Sequence, residues 1–80
     1  ERHGYWRKPE YRSWEKMIQR CNNPKRRDYR WYGARGISVC ERWRDSFKEF
    51  LLDMGLCPER HTLARRDPDG NYAPSNCRWA

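Results

Sequence analysis

From Glu10 to Asn22, apolar side chains return at steps of three and four residues: Tyr11, Trp14, Met17, Ile18 and Cys21. That spacing puts them on one face of a helix. Pro9 stands where a helix can begin without wasting an amide donor, and Asn22, Asn23 and Pro24 end it. Arg12, Lys16 and Arg20 form a basic stripe on another face. A second helix is expected to start at Asp45 or Ser46, because Ser46 followed by Glu49 matches a capping box. Phe47, Phe50, Leu51 and Met54 share its apolar face, Trp43 lies just ahead of it, and Gly55 and Pro58 stop it.

The rest of the pattern is extended or turning. His61 to Arg66 and Ser75 to Trp79 read as strands on either side of Asp67-Pro68-Asp69-Gly70-Asn71, which has turn chemistry. Ile37 to Cys40 is a third short strand candidate. Residues 25–36 (KRRDYRWYGARG) read as a loop, with Gly33 and Gly36 allowing close backbone approach. Residues 1–9 are polar and expected to be loosely ordered. No repeat, linker or low-complexity segment divides the chain. The expectation is one α+β domain over residues 1–80, with two amphipathic helices packed on a short antiparallel β-hairpin.

Composition sharpens this picture in two ways. A chain of 80 residues buries only about 60% of its unfolded surface, so a staple beyond the apolar core is expected. A mean hydropathy of -1.39 with 36% charged residues would suit a disordered chain. Five Trp, five Tyr and two Phe argue instead for a folded one, because they supply large apolar surfaces. No stretch approaches the roughly 20 apolar residues of a membrane span, and the first residues lack a signal-peptide apolar core. A soluble, cytoplasmic protein is expected.

The charge is more telling. The chain carries a net +7 with a pI near 9.6, and its cations are fourteen Arg against four Lys. Arg presents a planar fork that grips phosphate and guanine bidentately and stacks on rings. In residues 26–35, Arg26, Arg27, Arg30 and Arg35 alternate with Trp31 and Tyr32, an arrangement suited to phosphate contacts with an aromatic stacking on a base. Arg65 and Arg66 add a second basic pair. These eight residues are the candidate nucleic-acid contacts. The bland alternative is a solvated basic surface above core aromatics, and at least one of Tyr29, Trp31 and Tyr32 is expected in the core.

Residues 62–80 (TLARRDPDGNYAPSNCRWA) run as strand, acidic Gly-containing loop, and strand ending Asn76-Cys77-Arg78-Trp79. That order resembles the HNH, or His-Me finger, nuclease motif, in which the first strand ends in an acidic residue and a catalytic His. Further matches are His3-Gly4, Tyr11, Trp14, Arg20-Cys21-Asn22, Tyr32-Gly33, Arg35-Gly36-Ile37, Val39-Cys40, Trp43, Phe47, Phe50, Asp53-Met54-Gly55 and Gly70-Asn71-Tyr72. With these the whole chain resembles small phage and prophage proteins described as HNH-endonuclease-like. The resemblance implies a His-Me finger-like fold, DNA rather than RNA as the ligand, and the cytoplasm of a phage-infected or lysogenic bacterial cell.

It also implies where catalysis would sit, and there the chain departs from the motif. The His position is occupied by Arg65 and the acidic position before it by Ala64; the motif's third element, a helix bearing a metal ligand, would begin near Ala80. A general base must accept a proton, and an Arg guanidinium does not do so near neutral pH. The expected function is therefore DNA binding without catalysis. A metal-dependent HNH nicking endonuclease using Mg2+ is the enzyme alternative. A protein-binding inhibitor or assembly factor, with the Arg-rich surface against an acidic partner, is the third.

Four cysteines remain, Cys21, Cys40, Cys57 and Cys77, with no C-x-x-C pair among them. Cys21, Cys40 and Cys77 fall at ends or within elements and at positions of the resemblance, as does His3. Together they could form a Cys3His structural zinc site, the staple a short chain needs. Buried thiols acting as small hydrophobes are the equal alternative, with disulfides third.

Overall fold

The computed structural model describes residues 8–80. Helix α1 spans Pro9–Asn22, with Pro9 as its first residue. The expectation for residues 1–9 thus lies outside the described residues except at Lys8 and Pro9. Met17 and Cys21 are buried on the predicted face, while Tyr11, Trp14 and Ile18 flank them half-buried. At the C-terminus the Asn23 amide donates to the Gln19 carbonyl at 2.9 Å, which satisfies a group the helix leaves open, and its side-chain amide donates to Gln19 Oε1 at 2.8 Å. Glu10 belongs to the interior although its residue type does not suggest it. It is 4% exposed, and its Oε2 accepts the Cys57 amide at 2.6 Å, tying the start of α1 to the segment after the last helix.

The capping box is realised. Helix α3, Phe47–Met54, is capped by Ser46, whose Oγ accepts the Glu49 amide at 3.2 Å. Gly55 ends it at φ 72°, a left-handed backbone that favours glycine. Before it the chain makes a one-turn helix, α2 (Glu41–Arg44), which carries Trp43. Four residues are too few for apolar periodicity to show, so the sequence pattern registers Trp43 only as a residue ahead of α3. Trp43 and Phe50 are fully buried and meet edge to face at 4.9 Å and 82°. The Trp43 indole N–H donates to Asp53 at 2.7 Å, and its carbonyl accepts the Trp14 indole at 2.8 Å. One residue, through its indole and its carbonyl, thereby joins α1, α2 and α3.

The sheet has two antiparallel strands, β1 (Leu63–Arg65) and β2 (Cys77–Trp79), in the register Leu63 to Trp79, Ala64 to Arg78 and Arg65 to Cys77. Backbone pairing continues past the strands, from Thr62 to Ala80 in both directions at 2.8 Å and from Arg66 to Asn76 at 2.7 Å, so the predicted hairpin is present with shorter strands. Trp79 fastens β2 to α3 through its indole N–H on the Met54 carbonyl at 2.9 Å and an edge-on contact with Phe50.

Two expectations need correction. Ile37 to Cys40 is not a strand. It makes one isolated parallel bridge, Val39 with Tyr72, because the Ser38 amide is taken by the Asn71 side chain at 2.9 Å and the chain turns into α2 after Cys40. Residues 27–35 are not an open loop either. They form two 3₁₀ turns, Arg27–Trp31 and Gly33–Arg35. Gly33 permits this because a Cβ there would collide with the Tyr29 ring and the Cys21 carbonyl.

The result is an α+β domain whose core is Met17, Cys21, Ile37, Val39, Trp43, Phe50, Tyr72 and Cys77. Among the described residues no helix is long and apolar enough to cross a membrane.

Candidate nucleic-acid interface

The segment after α1 is held by ion pairing: Asp28 accepts Arg20 Nε at 3.0 Å and Arg26 Nε at 2.9 Å. The Arg26 hydrogen bond, aided by Arg20, draws the Asp28 carboxyl down to about 2. Both cations are thus engaged, and the first 3₁₀ turn is pinned to α1. A depressed carboxyl adds stability that is complete above the ordinary carboxylate range and is lost as pH falls toward about 2. Acid titration of the wild type, followed by circular dichroism, is expected to show stability falling between about pH 4 and pH 2. Asp28→Asn should remove part of that fall, leaving the part due to Asp53, which Arg42 lowers in the same way.

The next residues face outward. Arg27 and Arg30 are exposed. Trp31 is 53% exposed, an unusual state for the largest apolar side chain, and the Arg30 guanidinium lies 4.7 Å over its ring. Arg35 reaches back to the Trp31 carbonyl at 3.2 Å and pairs with Asp69, which sets the second 3₁₀ turn beside the hairpin loop. Arg66 is exposed and has no ion-pair partner among the described residues.

Tyr32 and Arg65 take a different place. The Tyr32 ring is half-buried and stacks on Tyr72 at 6.3 Å. Arg20 and Arg65 stand 4.6 and 5.1 Å from its centroid. Arg65 also lies 5.0 Å from the Tyr72 ring and donates to the Gly70 carbonyl at 2.8 Å. Tyr32 is therefore the aromatic of the segment that joins the core edge, while Trp31 is left outside. Of the eight candidate residues, Arg27, Arg30, Trp31 and Arg66 are open to a ligand, Arg35 is exposed but paired, and Arg26, Tyr32 and Arg65 brace the scaffold.

Asn76 and Arg20 were not among those candidates, yet both organise the region. The Asn76 side chain accepts the Asp67 amide at 2.9 Å and donates to the Asp67 and Asn71 carbonyls at 3.2 and 2.9 Å, closing the hairpin loop. In the sequence Asn76 stands out only as the first residue of the Asn76-Cys77-Arg78-Trp79 stretch. Asp67 Oδ1 accepts the Asp69 amide at 3.0 Å, the local bond expected of a turn aspartate.

The cysteines are all free thiols among the described residues. Cys21 and Cys77 are buried and Cys40 and Cys57 half-buried. Burial pushes the Cys21 thiol up to about 11, against the pull of Arg65 and Arg20, and raises Cys77 as well. No group of three or more His, Cys, Asp or Glu among the described residues is arranged to hold a metal ion, and His3 lies outside them. The described residues thus do not by themselves fit zinc, and Cys21 and Cys77 pack as small hydrophobes in the core. Prolonged dialysis against EDTA is expected to leave the melting temperature unchanged, with Cys21 and Cys77 slow toward a thiol reagent at pH 8. A large drop in melting temperature on chelation would restore the zinc site.

Comparison with protein-family models, curated proteins and solved structures finds no match to this chain.

Proposed function

We propose that the domain is a nucleic-acid-binding module of HNH-like type, with DNA as its ligand, that does not cleave what it binds. The observation that carries this reading is the pairing of exposed Trp31 with exposed Arg27 and Arg30 on a 3₁₀ turn pinned from below by Asp28. An exposed indole beside guanidinium groups that have no ion-pair partner among the described residues offers a stacking surface and phosphate contacts together. Arg66 and Arg35 extend the cationic surface toward the hairpin loop. The experiment is fluorescence anisotropy with a labelled DNA duplex across a salt series, comparing wild type with the Arg27, Arg30 and Arg66 variants.

Absence of cleavage follows from the role of Arg65. Its guanidinium lies against two tyrosine rings and a backbone carbonyl, and its permanent charge suits neither proton transfer nor metal binding. In a plasmid assay with Mg2+ or Mn2+ the purified chain is expected to bind but not nick. Metal-dependent nicking that is lost with His61→Ala or Asp67→Ala would establish the nuclease alternative instead.

A further inference from the structure

The side of the hairpin turned away from the core carries two arginines. Cys77 is buried and Trp79 packs on α3, so alternation along β2 turns the exposed Arg78 between them outward. Ala64 stands directly opposite Arg78, and the pairing of Arg66 with Asn76 carries the ladder one step further. Arg66 and Arg78 are therefore diagonal neighbours on one face, their stems rising roughly 7 Å apart.

Neither guanidinium has a hydrogen bond, ion pair or ring contact among the described residues, so the fold does not use them. The other positions of the face, Thr62, Ala64, Asn76 and Ala80, bring no opposite charge. In the adjoining loop Asp67 Oδ1 accepts the Asp69 amide, and Asp69 pairs with Arg35. Like charges held side by side on a sheet cost stability unless something else meets them. The methyl of Ala64 projects little into the space between the two stems, so a tetrahedral anion lying over it can accept from both planar forks.

From these features we infer that Arg66 and Arg78 clamp one phosphate group over Ala64. On the nucleic-acid reading, that group is a backbone phosphate of the bound duplex. Arg35, hydrogen-bonded to the Trp31 carbonyl, pairs with Asp69, so the loop end of this face adjoins the 3₁₀ turns. The assignment to duplex backbone rests on that reading; the clamp itself does not, because a soluble polyphosphate presents the same oxygens.

Two measurements separate these statements: anisotropy with a labelled DNA duplex, and titration of pyrophosphate into the isotope-labelled full chain. Arg78→Gln is expected to weaken duplex binding about tenfold, the loss of a charged hydrogen bond, with a melting temperature unchanged or raised because a like charge is gone. Residues gripping one phosphate act as a unit, so the double variant Arg66→Gln with Arg78→Gln should lose less than the product of the single effects. Ala64→Asp sets a carboxylate directly opposite Arg78 and should weaken binding at least as much as Arg78→Gln. Pyrophosphate should shift the amides of residues 64–66 and 76–78 in the wild type and bind more weakly to Arg78→Gln. Duplex binding indifferent to Arg78→Gln, single effects that multiply, or a folded Ala64→Asp protein that binds like wild type would overturn the clamp and leave the nucleic-acid reading standing. Pyrophosphate held through Arg78 by a chain that binds no duplex would support the clamp and overturn that reading. Binding of neither ligand would overturn both.

Discussion

Replacing Arg27, Arg30 and Arg66 together by Ala is expected to weaken duplex binding for every sequence and to flatten the dependence of log affinity on log salt by up to about 2.7, from about 0.9 for each phosphate contact removed. The fold should survive. All three side chains are exposed, and none carries a scaffold hydrogen bond among the described residues. Arg26→Ala should behave in the opposite sense, leaving the salt slope almost unchanged while lowering stability, because it abandons Asp28 to Arg20 alone. Trp31→Ala should cost about 1 to 3 kcal/mol of binding with little change in slope, the signature of a base stacked on a ring. Anisotropy over a salt series, with a melting curve for each variant, checks all three outcomes. A folded triple variant with unaltered affinity and slope would move the surface to an acidic protein partner.

Trp43→Ala is expected to unfold the domain or leave it close to unfolded at room temperature. Truncating a buried Trp costs about 3 to 5 kcal/mol through lost contacts and the cavity left behind. A chain of this length has a total stability on the order of 4 to 12 kcal/mol. Here the substitution also removes the indole N–H from Asp53, a carboxylate otherwise held by Arg42 at 2.6 Å, and empties the space facing Phe50. Trp43→Phe keeps most of the volume but not the donor, so it should lose less. Urea denaturation of the two variants separates packing from hydrogen bonding; a Trp43→Ala protein as stable as wild type would show that α2 is dispensable.

The expected helices and hairpin were legible because each has a local cause. Ser46 with Glu49 begins α3, Pro9 and the 3,4 spacing begin α1, and the run from Asp67 to Asn71 turns the hairpin. The candidate interface was legible only in part. Arg30 and Trp31 read the same way in the sequence as Arg26 and Tyr32, since alternation of charge and ring does not say which side chain meets Asp28 or Tyr72. Arg65 was no better marked: all three residues of β1 are half-buried, and the register that sets Arg65 opposite buried Cys77 exists only in the folded chain.

Local propensity and composition alone determined where α1, α3 and the hairpin lie and that the chain is strongly basic. These depend on neighbours within a few residues, or on no neighbours at all. Tertiary structure decided the rest. Burial of Glu10 against the Cys57 amide, the sharing of Asp28 by Arg20 and Arg26, and the lodging of Arg65 against Tyr32 and Tyr72 join residues that are distant or unpatterned in the chain. A buried charge or polar group is tolerated only where a partner meets it, and only the folded chain brings those partners together.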